Sequence, residues 1–582
     1  MIIINNHQTN YLICTSKDAS ATIRFAASEL MMYLYKSTGT LIGLHSDKCE
    51  KRCKEIYIGL ARDMNYLDHD LLDASSEAFF IKRINDDDLL FYAKSDRGVL
   101  YSVYYFLEKM INLKCYHKDE IDYDQKDIIE FKEDVFFDFK FEYRDVYFRD
   151  AFDGCFASMN MLNGSMADLS SKLGGKTSWF NFHHSFSDLV DPKIYFNDHP
   201  EYFSLIDGKR RGIHTELCLS NNDVFNIALN KVKEWIKNNP ECTVFSVSQD
   251  EWMGHFIKMA CECPECKKID DYENSQSGSI IHFVNRIADA IKKDYPDKLI
   301  HTFAYQYSRK APFHIKPKDN VIVRLCNIEC SWNDGIEESI KNGNENNISF
   351  YNDLLAWSKI TNRLYIWDYS TNFRNYLLPF PNIRAMIKNI ELYKKMGIKG
   401  ILMQGNFSYG GKGYLDELKA YLISRYLKYD NLNLDEEIKD FLAHYYGNYQ
   451  DVIYKYLNLF EDEVINHSLW LYDDSDSPLF NDEIIKKASS IIDEGDKIKD
   501  IDKYQERYSI FRLNYEYLIL SRLDLDYPNR DQLIDNFFDK ITKYQITEVF
   551  ERTELTYSKK VMKESKYCKE RKDRINMYYI MK

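Results

Sequence analysis

Hydrophobic residues recur at three- and four-residue intervals across positions 21–35 and 98–108, the spacing that lays one apolar face along a helix. Around them the rhythm changes. Positions 55–60, 78–83 and 89–93 are short β-branched and aromatic runs, which read as strands. Residues 1–137 therefore predict a small α+β domain. From 138 to 425, eight apolar runs suited to buried strands alternate with helical stretches: 144–148, 159–162, 178–182, 243–247, 299–305, 321–325, 363–367 and 400–404. Eight strands and their helices over about 280 residues fit a (β/α)8 TIM barrel, whose usual size is about 250 residues. An open doubly wound sheet shows the same alternation, but no glycine-rich phosphate loop follows any of the runs. Residues 426–582 carry long apolar-striped, charged segments opened by a capping pattern near 434, and predict a C-terminal helical domain.

In such a barrel the reactive groups lie at the carboxyl ends of the strands. Those ends supply Arg149 and Asp150, Asn160 and Asn163, His183 and His184, Asp250 and Glu251, Tyr305 and Tyr307, Asn327 and Glu329, Asp368 and Tyr369, and Gln404 with Asn406. The set is polar, aromatic and acidic, which is what hydrolysis of a glycosidic bond needs: one acid for the leaving oxygen and a second group beside the cationic centre. Asp250-Glu251 leave the strand together, next to Trp252. Neighbours in a strand point to opposite faces, so the two can share a pocket only where the chain turns. There, one carboxyl raises the pKa of the other. Two acids at such a junction can equally be solvated or cap the next helix. Trp367-Asp368-Tyr369 has the form of a stacking floor with polar handles, or of a core strand.

Composition narrows the partners. The net charge of -14 excludes an extended basic face for nucleic acid or an anionic membrane. No run approaches the length of a membrane span. The first residues lack the pattern of a secretory signal, and the 13 cysteines are odd in number and scattered, so a reduced, cytoplasmic location is expected. Within Cys261-Glu262-Cys263-Pro264-Glu265-Cys266, three thiols have the spacing of zinc ligands, with His255 or a distant cysteine as a fourth. The alternative is three reduced thiols and no metal. With four protein ligands the ion would be a structural clip, so no catalytic cofactor is expected. No G-x-S-x-G elbow supports acyl transfer.

Several motifs follow one another in a recognisable order: Arg144-Asp145, His199-Pro200-Glu201-Tyr202-Phe203, Leu217-Cys218-Leu219-Ser220-Asn221, Ser246 to Trp252, the three-cysteine run, Ala304-Tyr305-Gln306-Tyr307, the stretch 323–330, Tyr365 to Tyr369, and Pro379-Phe380-Pro381-Asn382. In this the chain resembles the DUF4838 family over about residues 140 to 450, and through it glycoside hydrolase family 163, the β-N-acetylglucosaminidases of complex N-glycans. The N-terminal region is similar to the domain that precedes the barrel in β-hexosaminidases and α-glucuronidases. The resemblance implies a retaining mechanism assisted by the substrate's own acetamide. Glu251 would be the general acid/base and Asp250 would orient the 2-acetamido group. Tyr305 or Tyr369 would hydrogen-bond it and Arg149 would grip hydroxyls. Asn163, His183, Trp252, Glu329, Trp367, Asp368 and Gln404 complete the expected substrate-binding set, with an oligosaccharide as the partner. Two rival readings stand beside this one. In the first, Glu251 pairs with Glu329 or Asp368, and Arg149 or Arg324 meets a uronic acid. The second is a non-catalytic carbohydrate-binding barrel.

Overall fold

The computed structural model describes residues 1–46, 53–64, 69–84, 87–251 and 258–565. The chain divides into two compact units that cut across its linear order. One comprises Met1–Lys176, Leu415–Tyr454 and Lys497–Tyr508, and the other Thr177–Tyr414, Lys455–Asp496 and Ser509–Lys582.

The first unit combines a sheet with helices. Its six-stranded sheet runs in the order Val135–Phe137, Phe79–Ile84, Asp88–Ala93, Lys54–Leu60, Tyr11–Thr15, Gly43–Ser46. The helices Ala21–Thr38 and Asp96–Ile111 pack together. Each starts where a serine hydroxyl accepts from a first-turn amide, Ser20 from Ile23 and Ser95 from Gly98. The helix Asp416–Lys428 also belongs here and is buried along its whole length. It runs through the boundary expected at residue 425. Burial on all sides requires partners for its charges, and Glu108 supplies one, accepting from Arg425 at 2.5 Å, Lys428 at 2.7 Å and the Tyr429 hydroxyl at 2.9 Å.

The second unit carries a parallel sheet whose strands pair in chain order. They are β1 (Trp179–Phe180), β2 (Val244–Ser246), β3 (Leu299–Ala304), β4 (Val321–Cys326), β5 (Leu364–Tyr369) and β6 (Gly400–Gln404). Helices lie between them, among them α1 (Asn222–Asn238), α2 (Pro264–Glu273), α3 (Ser277–Asp294), α4 (Glu345–Ser358) and α5 (Ile383–Lys395). Within this unit, six of the eight expected runs thus pair as parallel strands. The run at 144–148 also forms a strand, Tyr143–Tyr147. The run at 159–162 forms no strand. Met159 ends the helix Gly154–Met159, the Asn160 amide donates back to Phe156 O at 3.0 Å, and Met161 turns to φ 58°. The apolar spacing there serves one buried helical turn. A closed eight-stranded ring is therefore not formed by the described residues of this unit.

Register explains which side chains meet. Phe303, Arg324, Tyr365 and Gly400 are successive cross-strand partners, so they stand on one face. Every second residue joins them: His301 and Tyr305, Cys326, Trp367 and Tyr369, Gln404. Gly400 is required in that row, because a Cβ there would lie 2.6 Å from the Tyr365 ring. The opposite face is aliphatic, with Ile300, Val323, Leu325, Ile366 and Ile401 all fully buried. On the polar-aromatic face, Arg324 is 0 % exposed and its guanidinium lies 4.1 Å from the Trp179 ring, 4.8 Å from Phe182 and 5.3 Å from Trp367.

Candidate active site

Parallel pairing puts the carboxyl ends of β1 to β6 on one side of the sheet, and the polar groups of the second unit gather there. Glu251 is central. Its Oε1 accepts from the Tyr305 hydroxyl at 2.6 Å, and its Oε2 lies 3.6 Å from His184 Nε2. The His184 Nδ1 is 2.6 Å from the carbonyl oxygen of Gln249. A carbonyl can only accept, so Nδ1 carries a proton, and in the neutral ring Nε2 presents a lone pair to Glu251. Gln249 steadies the partner strand, donating from Nε2 to Tyr305 O at 3.0 Å and accepting from the Ser308 hydroxyl. Behind this, Ser246 and Ser248 donate to the His183 carbonyl at 2.5 and 2.7 Å.

Asp250, beyond the end of β2, makes a different set of contacts. Its carboxylate accepts from the Ser187 backbone at 2.9 Å, and its own N–H donates to Glu216 Oε2 at 3.1 Å. Burial pushes the Asp250 carboxyl up to about 7, and the charge of Asp188 adds to the effect. Glu216, also buried, is pushed well up by burial and by Asp250. Two neighbouring acids thus differ in setting: Glu251 is partly exposed beside Tyr305 and His184, and Asp250 is buried and held protonated to near neutrality. Burial also raises the Tyr305 and Tyr369 phenols well above their ordinary value, so both are hydrogen-bond donors at neutral pH. His183 is lowered by burial, with the charges of His184 and Arg552 adding.

The remaining expected residues separate into two groups. Trp367 and Gln404 stay together, the indole donating to Gln404 Oε1 at 2.7 Å. Trp252 lies outside the described residues, as does His255. Asp368 is not a sugar handle: it alternates to the far face, where it is 1 % exposed. There it accepts from Asn327 at 2.9 Å, Trp332 at 3.2 Å, the Tyr393 hydroxyl at 2.8 Å and the Tyr369 amide at 2.7 Å. Glu329 is engaged by Arg309 at 2.9 Å, itself bound to Asp353 at 2.8 Å. Arg149 and Asn163 belong to the first unit. There Asn163 is fully buried, donating to Glu77 and Glu142 O at 2.8 Å each and accepting from the Arg144 amide at 2.8 Å. Its hydrogen-bonding capacity is structural. Cys261, Cys263 and Cys266 do converge, joined by Cys218, and all four are buried.

One group was not legible as a strand end. The turn at 544–553 is fastened to the loops after β5 and β6. Glu551 N–H donates to Phe373 O at 2.9 Å, Tyr376 N–H to Val549 O at 3.0 Å, and Gly410 N–H to the Thr547 hydroxyl at 2.9 Å. Burial pushes the Glu551 carboxyl up to about 7, Arg552 opposing and the charges of Glu251 and Glu548 adding. Glu551 is therefore within electrostatic reach of Glu251.

A family model described as a domain of unknown function, DUF4838, matches residues 115–458. The chain belongs to the DUF4838 family. Among solved structures, this DUF4838 protein is similar to a family GH115 4-O-methyl-α-glucuronidase with specificity for decorated arabinogalactans. That match has a TM-score of 0.55 and 10% identity, and covers 97% of this chain and 80% of the other. It is also similar to a GH89 protein from Clostridium perfringens in complex with GlcNAc-α-1,4-galactose, with a TM-score of 0.47 and 12% identity, covering 80% of this chain and 61% of that one. A Streptomyces plicatus β-hexosaminidase in complex with GlcNAc matches with a TM-score of 0.41 and 8% identity, covering 76% and 92%. The first of these shows a shared fold. No curated protein matches the chain. No helix among the described residues is long and apolar enough to cross a membrane.

Proposed function

We propose that this DUF4838 protein is a glycoside hydrolase, and that it is a retaining β-N-acetylglucosaminidase acting on N-glycan-type oligosaccharides with help from the substrate's 2-acetamido group. The observation that carries the hydrolase reading is Glu251 held at 2.6 Å by Tyr305 and facing His184, at the carboxyl end of a parallel sheet. Glu251 donates a proton to the glycosidic oxygen as the bond to C1 breaks. The acetamide carbonyl oxygen closes on C1, giving an oxazolinium, and the leaving group departs as the alcohol. Water then attacks C1 while Glu251 takes its proton, which restores the acetamide with retention. Asp250, poised near neutrality, orients the acetamide, and Trp367 with Gln404 offers a stacking face and a polar edge.

A second reading uses two carboxyl groups and no acetamide. Glu551 would be the partner of Glu251, since burial pushes its carboxyl up to about 7 and the Glu251 charge adds to the effect. Aryl glycosides with and without a 2-acetamido group separate the readings. Under the first, only the acetamido substrate turns over, a thiazoline mimic of the oxazolinium inhibits, and Glu251→Gln lowers kcat/KM by about 10²–10⁴-fold. Equal cleavage of substrates lacking the group, with Glu551→Gln as damaging as Glu251→Gln, sinks it in favour of the second. Retained glycan binding without turnover of any substrate would sink both.

A further inference from the structure

Four cysteines from two distant segments of the second unit meet in one buried cluster. Cys218 follows the Thr215-Glu216-Leu217 stretch, and Cys261, Cys263 and Cys266 precede and open α2. Their sulfurs all lie within 4.8 Å of one another, with Cys218 and Cys263 at 3.6 Å, and none is joined in a disulfide. Four sulfurs at the corners of a tetrahedron, each about 2.3 Å from a central zinc ion, stand about 3.8 Å apart. The groups around the sulfurs include donors, beside the Ser220 hydroxyl at 3.1 Å from Cys266 Sγ. Leu205 N–H donates to Cys261 Sγ at 3.3 Å and Cys266 N–H to Cys263 Sγ at 3.5 Å, and the Arg210 charge lies beside Cys218. Such donors stabilise thiolates, and they orient the ligands around a metal. Four thiols in an apolar pocket need no donors of this kind. They would stay protonated, packed as small hydrophobic groups.

We propose that Cys218, Cys261, Cys263 and Cys266 bind one structural zinc ion. On binding, the four thiols release four protons to solvent and no electron is transferred. The four thiolates and the dication carry a net charge of about −2, which Arg210 and the two amides offset. The position gives the ion a task. Cys218 lies two residues after Glu216, the acceptor of the Asp250 amide, and Cys261 lies ten residues after Glu251. The hairpin strand Leu205–Ile206 is tied in as well, through Glu262 N–H to Leu205 O at 2.7 Å. Zinc would fasten the segment leaving β2 to the segment that supports Asp250. It has no open coordination position, so it does not take part in the chemistry.

The full chain, purified under reducing and metal-free conditions and reconstituted with zinc, should retain about one zinc per chain by elemental analysis. X-ray absorption should show four sulfur neighbours at about 2.3 Å, and Co(II) in place of zinc should give the spectrum of a tetrahedral thiolate site. Cys266→Ser and Cys218→Ser should lower retention at least tenfold, and chelation of the unaltered protein should lower its melting temperature. Failure of the reconstituted protein to retain zinc, with all four thiols alkylated equally fast with and without the ion, overturns the proposal. So does a metal site with fewer than three sulfur neighbours. Both measurements use the unaltered protein and hold even if the serine variants do not fold.

Discussion

Replacing Asp250 by Asn should make the protein more stable and less active, and the stability gain should appear only toward high pH. Asp250 is 8 % exposed, and burial pushes its carboxyl up to about 7 from an ordinary 3.8. Between those values the folded chain binds a proton that the unfolded chain has lost. Stability therefore falls as pH rises through that window, and above about 7 the whole penalty remains. The gap corresponds to about 4 kcal/mol. An Asn amide oxygen can still accept from the Ser187 amide, and the backbone bond to Glu216 is untouched. The variant thus resembles the protonated acid in shape and charge. Near pH 4 the melting temperature should be almost unchanged. Near pH 8 it should rise by about 1–2 °C per kcal/mol recovered, or roughly 5 °C, for a unit of this size. Scanning calorimetry of both proteins at the two pH values reads this directly, with kcat/KM expected to fall on the preferred substrate. A variant equally destabilised at both pH values would refute the reasoning, because it would mean that Asp250 is ionised and stabilising in the folded state.

Tyr305→Phe removes one hydroxyl and leaves the ring among Phe303 and His184. A hydrogen bond to a charged partner contributes about 1.5–3 kcal/mol, so kcat/KM should fall by about 10- to 150-fold with the fold intact. Unchanged steady-state kinetics would remove Tyr305 from the site. Glu108→Gln should destabilise the first unit by about 3–5 kcal/mol, because it leaves Arg425 and Lys428 buried without their shared anion. Denaturant unfolding followed by a probe in that unit measures the effect, and a loss below about 1 kcal/mol would place the pair in the class of exposed bridges.

What could be read from the chain follows the physics of each element. Most of the barrel-like runs were legible because β3 to β6 are continuous apolar segments long enough to be unambiguous. The run at 159–162 failed for the opposite reason. Four apolar residues suit a strand or a helical turn equally, and only the Asn160 amide returning to Phe156 O decides between them. Glu251 and Tyr305 could be placed side by side from the sequence because strand ends in a parallel sheet converge. Asp368 was misplaced because proximity to a strand end was counted without parity, although Trp367 and Tyr369 on either side of it share the other face. Glu551 had no sequence signal of this kind, lying about 300 residues from Glu251 on a turn whose position depends on backbone bonds to Phe373 and Tyr376. Glu216 did have one: a lone acid between Thr215 and Leu217 in an apolar stretch, where burial forces it to find a partner.

Contacts decide which acid does the chemistry. Asp250 and Glu251 lie beyond the end of β2, and there Glu251 meets the Tyr305 hydroxyl of the aromatic row while Asp250 meets the Ser187 amide. The Glu251 side chain is 35 % exposed. A proton donor must reach the leaving oxygen and be reloaded from solvent or a neighbour. Glu251 meets both needs through its exposure. Asp250 meets neither, but a buried carboxyl near neutrality can present either a proton or a lone pair to an amide without rearranging. That division makes the two acids unequal in a measurable way. Loss of Glu251 should damage every glycoside substrate, whereas loss of Asp250 should damage acetamido substrates most.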